Sequence, residues 1–102
     1  MKKIKVAFVI LHYQAIEMTI KCINSLYKTF DISENFIVVV DNASPNKSGN
    51  ELINIYKKYD NIKIIVSPEN LGFAKGNNIG YSYCTKELDF DFLVIMNNDI
   101  II

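Results

Sequence analysis

The stretch Phe36-Ile37-Val38-Val39-Val40 runs directly into Asp41-Asn42-Ala43-Ser44-Pro45, and this change from apolar to polar residues decides the fold class. A continuous apolar run rich in Val and Ile is typical of a strand covered on both faces, as in a parallel sheet. Comparable runs lie at residues 4–11, 62–66 and 92–96. The sequence therefore predicts four strands of one sheet.

Helical patterns separate these four runs. The first pattern steps by three and four residues, through Ile16, Ile20, Ile23, Tyr27 and Phe30. This spacing turns one stripe of a helix towards the sheet. A second helix is predicted from the capping-box motif Ser48-Gly49-Asn50-Glu51 through Tyr59, and a weaker pattern covers residues 73–85. The order β-α-β-α-β-α-β predicts an open, mainly parallel, Rossmann-like α/β sheet with helices on both faces.

Length and charge limit the classes of function. The 102 residues suffice for one domain, and half of them are apolar. Eleven Lys balance eleven acidic residues, so neither nucleic acid nor an anionic membrane is indicated as the main partner. Because the chain has no Arg, a bound diphosphate needs a metal, Lys or backbone N–H groups to neutralise it.

No apolar segment has the form of an export signal or a membrane span. The N-terminal run 6–11 has six residues, fewer than the roughly seven to fifteen of a signal-peptide core. Cys22 and Cys84 lie far apart in helical patterns and are predicted to be buried thiols. We therefore expect a cytoplasmic protein without a transmembrane segment, with the inner face of the membrane as a candidate location.

Polar residues follow all four predicted strands. They are His12-Tyr13-Gln14, Asp41-Asn42-Ala43-Ser44-Pro45, Ser67-Pro68-Glu69-Asn70-Leu71-Gly72 and Asn97-Asn98-Asp99. In open parallel sheets, ligands bind beyond the carboxyl ends of the strands. The convergence of these four segments at one edge predicts the binding site.

Two strand ends carry a carboxylate directly after an apolar run. Asp41 can accept a hydrogen bond from a base imide or a ribose hydroxyl, or it can close an Asx-turn before Pro45. Asn97 and Asp99 offer two hard oxygen ligands of the kind that Mg²⁺ or Mn²⁺ takes together with phosphates and water. The alternative is a polar strand end that satisfies its own turn.

Residues 70–80 combine three glycines with three asparagines around a predicted helix start. Gly72, Gly76 and Gly80 permit close backbone approach to an anion, to which Lys75 could add a positive charge. The other interpretation is a helix packed tightly on the sheet at its glycines, with Lys75 exposed. The spacing is not GxGxxG after the first strand, so a dinucleotide-binding oxidoreductase is not indicated.

In their order along the chain, segments 41–44, 70–80 and 97–99 resemble glycosyltransferase family 2, and look closest to its rhamnosyltransferase-like members. The resemblance implies a GT-A fold and metal-dependent, inverting transfer from a UDP- or dTDP-linked sugar to the hydroxyl of a glycan or lipid-linked acceptor. Residues 1–102 would be the nucleotide-sugar-binding part, and the general base would follow residue 102.

The resemblance also implies a set of site residues. The nucleotide-binding set is His12, Tyr13, Gln14, Asp41, Asn42, Ser44, Gly72, Lys75, Gly76, Asn77, Asn78 and Asn98. The metal ligands, for Mg²⁺ or Mn²⁺, are Asp99 and Asn97, which stands where the family usually has a first Asp. His12 itself is interpreted as a wall or structural residue rather than a catalytic base.

Two rival functions and one expectation about the chain remain. A non-catalytic nucleotide-binding module would have the same 102 residues, whereas a signalling receiver domain needs an acidic pair after strand one, where His12-Tyr13-Gln14 stands. The apolar segment Ile100-Ile101-Ile102 suggests a chain cut within a domain. We expect the 102 residues alone to transfer no sugar and to form a homodimer through the C-terminal sheet edge.

Overall fold

The architecture, obtained as a computed structural model, is described for residues 4–30, 35–70 and 72–98. Strands and helices alternate along the whole chain. They are β1 (Val6–His12), α1 (Ile16–Thr29), β2 (Phe36–Asp41), α2 (Ser48–Tyr56), β3 (Ile62–Val66), α3 (Gly72–Glu87) and β4 (Phe92–Asn97). All seven predicted elements are confirmed, and their bounds agree to within two residues except at the end of α2, which lies three residues before the predicted end.

The four strands form one parallel sheet in the order β3-β2-β1-β4. The chain moves outward from β1 to β3 and then crosses back, so the strand order reverses between β1 and β4. The register pairs His12 with Asp41, and Leu11 with Asn97. Open α/β sheets bind ligands at such a reversal, beyond the carboxyl ends of the strands. The predicted fold class is therefore confirmed, and its expected binding edge carries the predicted polar residues.

The two faces of the sheet are covered by different helices. On one face, α1 and α2 pack through Cys22, Ile23, Leu26, Leu52 and Tyr56 onto the sheet, and on the other face α3 packs through Cys84. Both cysteines are buried thiols outside any disulfide, which confirms their predicted state. No helix in the described residues is long and apolar enough to cross a membrane.

Helix α3 approaches the sheet closely at two of its glycines. A Cβ atom added at Gly80 would lie 2.5 Å from Cγ1 of Val9, and one at Gly76 would lie 2.6 Å from Cδ1 of Leu11. Gly72 instead has a φ of +82° and no neighbour within 4 Å of an added Cβ. Gly76 and Gly80 thus serve helix packing, and Gly72 permits the turn that leads into α3.

The start of α2 differs from the predicted capping box. Lys47, with a φ of +59°, is the N-cap residue, and its own side chain makes no capping hydrogen bond. Oδ1 of Asn46 accepts from the backbone N–H of Ser48 at 3.1 Å instead. Ser48 lies inside the helix because its hydroxyl bonds the imidazole of His12 instead of the backbone. The helix ends at Tyr56, so Tyr59 lies beyond it and packs edge-on against Tyr27 and Tyr56.

Candidate functional site

The loops at the carboxyl edge of the sheet contain every left-handed residue found in the described parts of the chain. These residues are Gln14 (φ 60°), Ala43 (φ 58°), Lys47 (φ 59°) and Gly72 (φ 82°). A positive φ is uncommon for residues other than glycine, and such strained conformations concentrate at binding and catalytic sites. The backbone itself therefore marks this edge as the functional one.

Asp41 lies at the carboxyl end of β2 and is only 2% exposed. Its Oδ1 atom accepts hydrogen bonds from the backbone N–H of Ser44, at 3.2 Å, and from the hydroxyl of the same residue. Asp41 thus makes a local bond to its own loop, as the alternative role left open by the sequence requires, although the bond reaches the third residue on and not the second as in an Asx-turn. This bond holds the carboxylate in one orientation.

The loops after β1 and β2 are joined by further hydrogen bonds. The hydroxyl oxygen of Ser44 accepts from the backbone N–H of Gln14 at 2.8 Å. The side-chain amide of Asn46 donates to the backbone oxygen of Gln14 at 3.0 Å. Because Ser44 also bonds Asp41, the two loops and the carboxylate form one connected unit.

The first turn of α2 packs directly against the carboxylate of Asp41. A Cβ atom added at Gly49 would lie 2.2 Å from Oδ2 and 2.6 Å from Cγ of Asp41, so only glycine fits there. The N-terminus of a helix carries a partial positive charge, which favours a nearby carboxylate. Gly49 therefore lets the first turn of α2 approach the side chain of Asp41 closely.

His12 is fully buried and both of its ring nitrogens have partners. Nδ1 lies 2.6 Å from the hydroxyl oxygen of Thr19 in α1, and Nε2 lies 2.7 Å from that of Ser48 in α2. Burial lowers the pKa of the imidazole, and the nearby Asp41 carboxylate opposes this shift. The ring is thus held neutral inside the protein, as expected of a structural residue, and does not face the cleft.

The N-terminal part of α3 presents both exposed and buried polar residues. Lys75 and Asn78 are exposed, whereas Asn77 is only 7% exposed. Oδ1 of Asn77 is buried and has no hydrogen-bond partner among the described residues. Buried polar atoms in folded proteins almost always have a partner, so the unpartnered oxygen of Asn77 is an exception among the described residues.

The predicted site residues fall into three groups. Tyr13, Gln14, Gly72, Lys75, Asn78 and Asn97 are exposed, and His12, Asp41, Asn42, Ser44, Gly76 and Asn77 are buried. Asn98 is half-buried, and its side-chain amide donates to Thr19 Oγ1 at 3.2 Å. Asp99 lies outside the described residues. Tyr13, directly after β1, is 43% exposed.

Three residues that shape this edge were not predicted from the sequence as site residues. Thr19 and Ser48 hold His12, and Gly49 admits the carboxylate of Asp41. Ser48-Gly49 was assigned to a helix cap, and Thr19 lies inside an ordinary amphipathic pattern. Only the spatial approach of the two helices to the strand ends reveals their contribution.

The donor atoms at the end of β4 suit a hard divalent cation. Asn97 is exposed at the carboxyl edge and offers an amide oxygen, a ligand type that Mg²⁺ and Mn²⁺ accept. The described residues contain no cluster of three or more His, Cys, Asp or Glu side chains. A cation bound here would therefore take its remaining ligands from Asp99, a phosphate and water.

A groove of about 270 Å³ lies away from this edge, between α2 and the outer strand β3. It is lined by Ile53, Tyr56, Lys57, Ile62, Lys63 and Ile64. Burial and the neighbouring Tyr59 and Tyr27 raise the pKa of Tyr56 to about 12, so its hydroxyl stays protonated. Nothing in this lining provides an acid or base for catalysis near neutral pH.

Comparisons with known proteins identify a family over nearly the whole chain. The family model described as Glycosyl transferase family 2 matches residues 7–102. A comparison with curated proteins found no match.

Solved structures share the fold at low sequence identity. S. aureus TarS 1-349 has a TM-score of 0.75 and 23% identity, and the match covers 94% of this chain and 28% of that chain. Its complex with UDP-GlcNAc also has a TM-score of 0.75 and 23% identity, covering 94% and 27%. The mannosyltransferase PcManGT from Pyrobaculum calidifontis, in complex with GDP-Man and Mn²⁺, has a TM-score of 0.77 and 16% identity, covering 94% and 28%. The chain thus spans little more than a quarter of the length of each of these proteins.

Proposed function

The chain belongs to glycosyltransferase family 2, and we propose that it binds the donor of a nucleotide-sugar glycosyltransferase at the carboxyl edge of its sheet. The observation that carries this proposal is the pair of buried acceptor groups at that edge. Asp41 is held rigidly by Ser44, and the amide oxygen of Asn77 has no partner among the described residues. A nucleoside with an imide N–H and two ribose hydroxyls offers donors for both groups.

The proposed nucleotide site has a base end and a phosphate end. The exposed ring of Tyr13 stacks on the base, and Asp41 accepts from its imide N–H or from the ribose. Asn42 lies beside the start of α3, because a Cβ atom added at Gly76 would be 3.8 Å from its Cγ. The nucleotide therefore extends from the loop after β2 towards α3.

The phosphate end is proposed to lie between α3 and β4. Lys75 is exposed on the first turn of α3, and among the predicted site residues it is the one with a positively charged side chain. Asn97 and Asp99 are the proposed ligands of Mg²⁺ or Mn²⁺. Such a cation neutralises charge on the diphosphate as it departs. Because the chain has no Arg, we expect donor binding to depend strongly on the metal.

The finer assignments remain proposals that rest on the sequence resemblance. We propose a UDP- or dTDP-linked donor, a rhamnosyltransferase-like specificity, a glycan or lipid-linked acceptor, and a cytoplasmic location. The two related structures with sugar nucleotides hold different ones, UDP-GlcNAc in TarS and GDP-Man in PcManGT. A parallel titration with UDP, dTDP and GDP therefore decides the choice of base.

The test of the site is calorimetry on the full-length protein with UDP and dTDP in the presence of Mn²⁺. Asp41→Asn should weaken binding about 10- to 100-fold, because a hydrogen bond to a charged group contributes about 1.5–3 kcal/mol. Asp60→Asn, which changes an exposed carboxylate before β3, is the matched control and should bind as the wild type does. Unchanged affinity in a folded Asp41→Asn variant would remove Asp41 from the site.

The metal is tested by the same titration with EDTA and with an Asn97→Asp variant. EDTA should weaken binding of UDP or dTDP by at least about tenfold, because the diphosphate charge then lacks its main counter-ion. Asn97→Asp adds a second carboxylate and should lower the Mn²⁺ concentration needed for half-saturation. Binding that is indifferent to both changes contradicts a metal at the end of β4.

A further inference from the structure

His12 contacts helices α1 and α2 and, through Thr19 in α1, the residue that follows β4. Its imidazole lies 2.6 Å from Thr19 Oγ1 in α1 and 2.7 Å from Ser48 Oγ in α2. The same Thr19 oxygen accepts a hydrogen bond from the side-chain amide of Asn98 at 3.2 Å. A continuous chain of polar side chains therefore runs from α2 to the residue that follows Asn97.

This chain of contacts involves residues next to both the base end and the metal end of the proposed donor site. His12 is paired in register with Asp41 on β2, and Leu11 before it is paired with Asn97 on β4. Ser48 directly precedes Gly49, which packs against the Asp41 carboxylate. The imidazole is thus the point at which the base end and the proposed metal end of the site share a support.

We propose that His12 is a positioning residue that holds the β4 end of the site, through Thr19 and Asn98, in the geometry needed to bind the metal and diphosphate. This inference rests on the proposed function, because it concerns the same donor site. Thr19 and Ser48 are 0% and 1% exposed, so their hydroxyls cannot exchange the imidazole for water. A partner lost from such a buried network leaves the remaining groups unsatisfied and free to reorient. Groups that orient metal ligands from behind typically change metal affinity 10- to 100-fold when they are removed.

The contacts of the imidazole with Thr19 and with Ser48 can be removed one at a time by substitution. Asn places its amide at the position of Nδ1 and so keeps the contact to Thr19 while losing the contact to Ser48. Gln, one carbon longer, places its amide at the position of Nε2 and keeps the contact to Ser48 alone. Only the arm towards Thr19 leads to Asn98.

The experiment measures the Mn²⁺ concentration for half-saturation, at fixed UDP or dTDP, by calorimetry on the full-length protein and its variants. His12→Gln should raise this concentration about 10- to 100-fold, whereas His12→Asn should leave it within about threefold of the wild type. Thermal unfolding accompanies each titration, and both variants should lose stability to a similar degree. A role in folding alone would shift the two variants equally.

A second pair of variants tests the middle of the chain of contacts without touching His12. Thr19→Val removes the hydroxyl at nearly constant volume and should reproduce the weakened Mn²⁺ binding, while Thr19→Ser keeps a hydroxyl and should restore it. Equal Mn²⁺ affinity in His12→Gln and His12→Asn, or an unchanged affinity in Thr19→Val, overturns the inference. A wild type that binds none of UDP, dTDP and GDP overturns the proposed function itself, and the inference with it.

Discussion

The two faces of the sheet treat their buried polar groups differently at the carboxyl edge. On the face covered by α1 and α2, the buried side chains of His12, Thr19 and Ser48 bond one another. On the face covered by α3, glycines pack on apolar side chains, and the buried Oδ1 of Asn77 has no partner among the described residues. Both faces end at one edge of the sheet, yet only on the first do the buried polar side chains named here satisfy one another.

This difference distinguishes residues that we expect to stabilise the fold from residues that we expect to bind a ligand. A satisfied buried network rigidifies the fold, and its loss is felt as lost stability. An unsatisfied buried acceptor destabilises the free protein by about 1–3 kcal/mol, which a ligand that donates to it can recover. We therefore expect substitutions beneath α1 and α2 to reduce stability first, and substitutions in α3 to reduce binding first.

The largest effect is expected at Gly49, on the face of the sheet covered by α1 and α2. Gly49→Ala forces a methyl group into Asp41, whose Oδ2, Cγ and Cβ atoms would all lie within 2.8 Å. Overpacking of this kind lowers the free energy of unfolding by about 1–3 kcal/mol, and displacement of the carboxylate should also abolish tight nucleotide binding. Urea denaturation and UDP titration measure the two losses.

Gly76→Ala is the matched control on the α3 face. Its methyl group would meet Cδ1 of Leu11 at 2.6 Å, the end of a flexible side chain that can rotate away. The gain in helix propensity, up to about 1 kcal/mol, then offsets much of the strain. Equal destabilisation by the two substitutions would show that the fold tolerates a methyl group against Asp41 no worse than one against Leu11.

An intermediate effect, with opposite signs for stability and binding, is expected at Asn77. Asn77→Leu removes the unpartnered amide oxygen at similar volume and should raise the free energy of unfolding by about 1 kcal/mol. The same change should weaken UDP or dTDP binding roughly fivefold, because one hydrogen bond contributes about 1 kcal/mol. Asn50→Leu, at an exposed position of α2, serves as control and should alter neither quantity appreciably. A folded Asn77→Leu protein with undiminished affinity would assign Asn77 to packing alone.

The smallest effect is expected from a change in pH, and it arises at His12 on the face of the sheet covered by α1 and α2. The pKa of His12 is lowered by burial from its ordinary value of 6.5, although the Asp41 carboxylate opposes the shift. Below pH 6.5 the unfolded chain therefore binds more protons than the folded chain, and the free energy of unfolding decreases as the pH falls towards the folded-state pKa. Above pH 6.5 this contribution is fully present.

Comparison with a variant isolates the contribution of His12 from those of the carboxylates. The stability difference between the wild type and His12→Gln should be largest at pH 7.5 and should shrink towards pH 5. Urea denaturation at a series of pH values measures it. Parallel stability curves for the two proteins contradict a buried, neutral imidazole.

Most of the fold could be predicted from residue patterns. Continuous apolar runs predicted β1 to β4. In the structure β1 and β2 are buried on both faces as this pattern implies, whereas the outer strand β4 is mostly exposed among the described residues. The helix ends were less certain. Ser48 has the form of a cap, yet its hydroxyl bonds the imidazole of His12, so α2 begins differently from the capping-box prediction.

The sequence by itself determined the class of the fold, the order of its elements and the polar strand ends, because apolar periodicity and turn residues act over a few neighbouring positions. It also carried the motifs that resemble glycosyltransferase family 2, to which the chain belongs. The tertiary structure alone decided which of these polar groups are satisfied. His12 meets Thr19 and Ser48, while Asn77 meets no partner among the described residues, because packing brings together side chains from distant parts of the chain. No spacing along the sequence encodes the distance between two helices and a strand end, and that distance decides whether a buried polar side chain finds a partner within the fold.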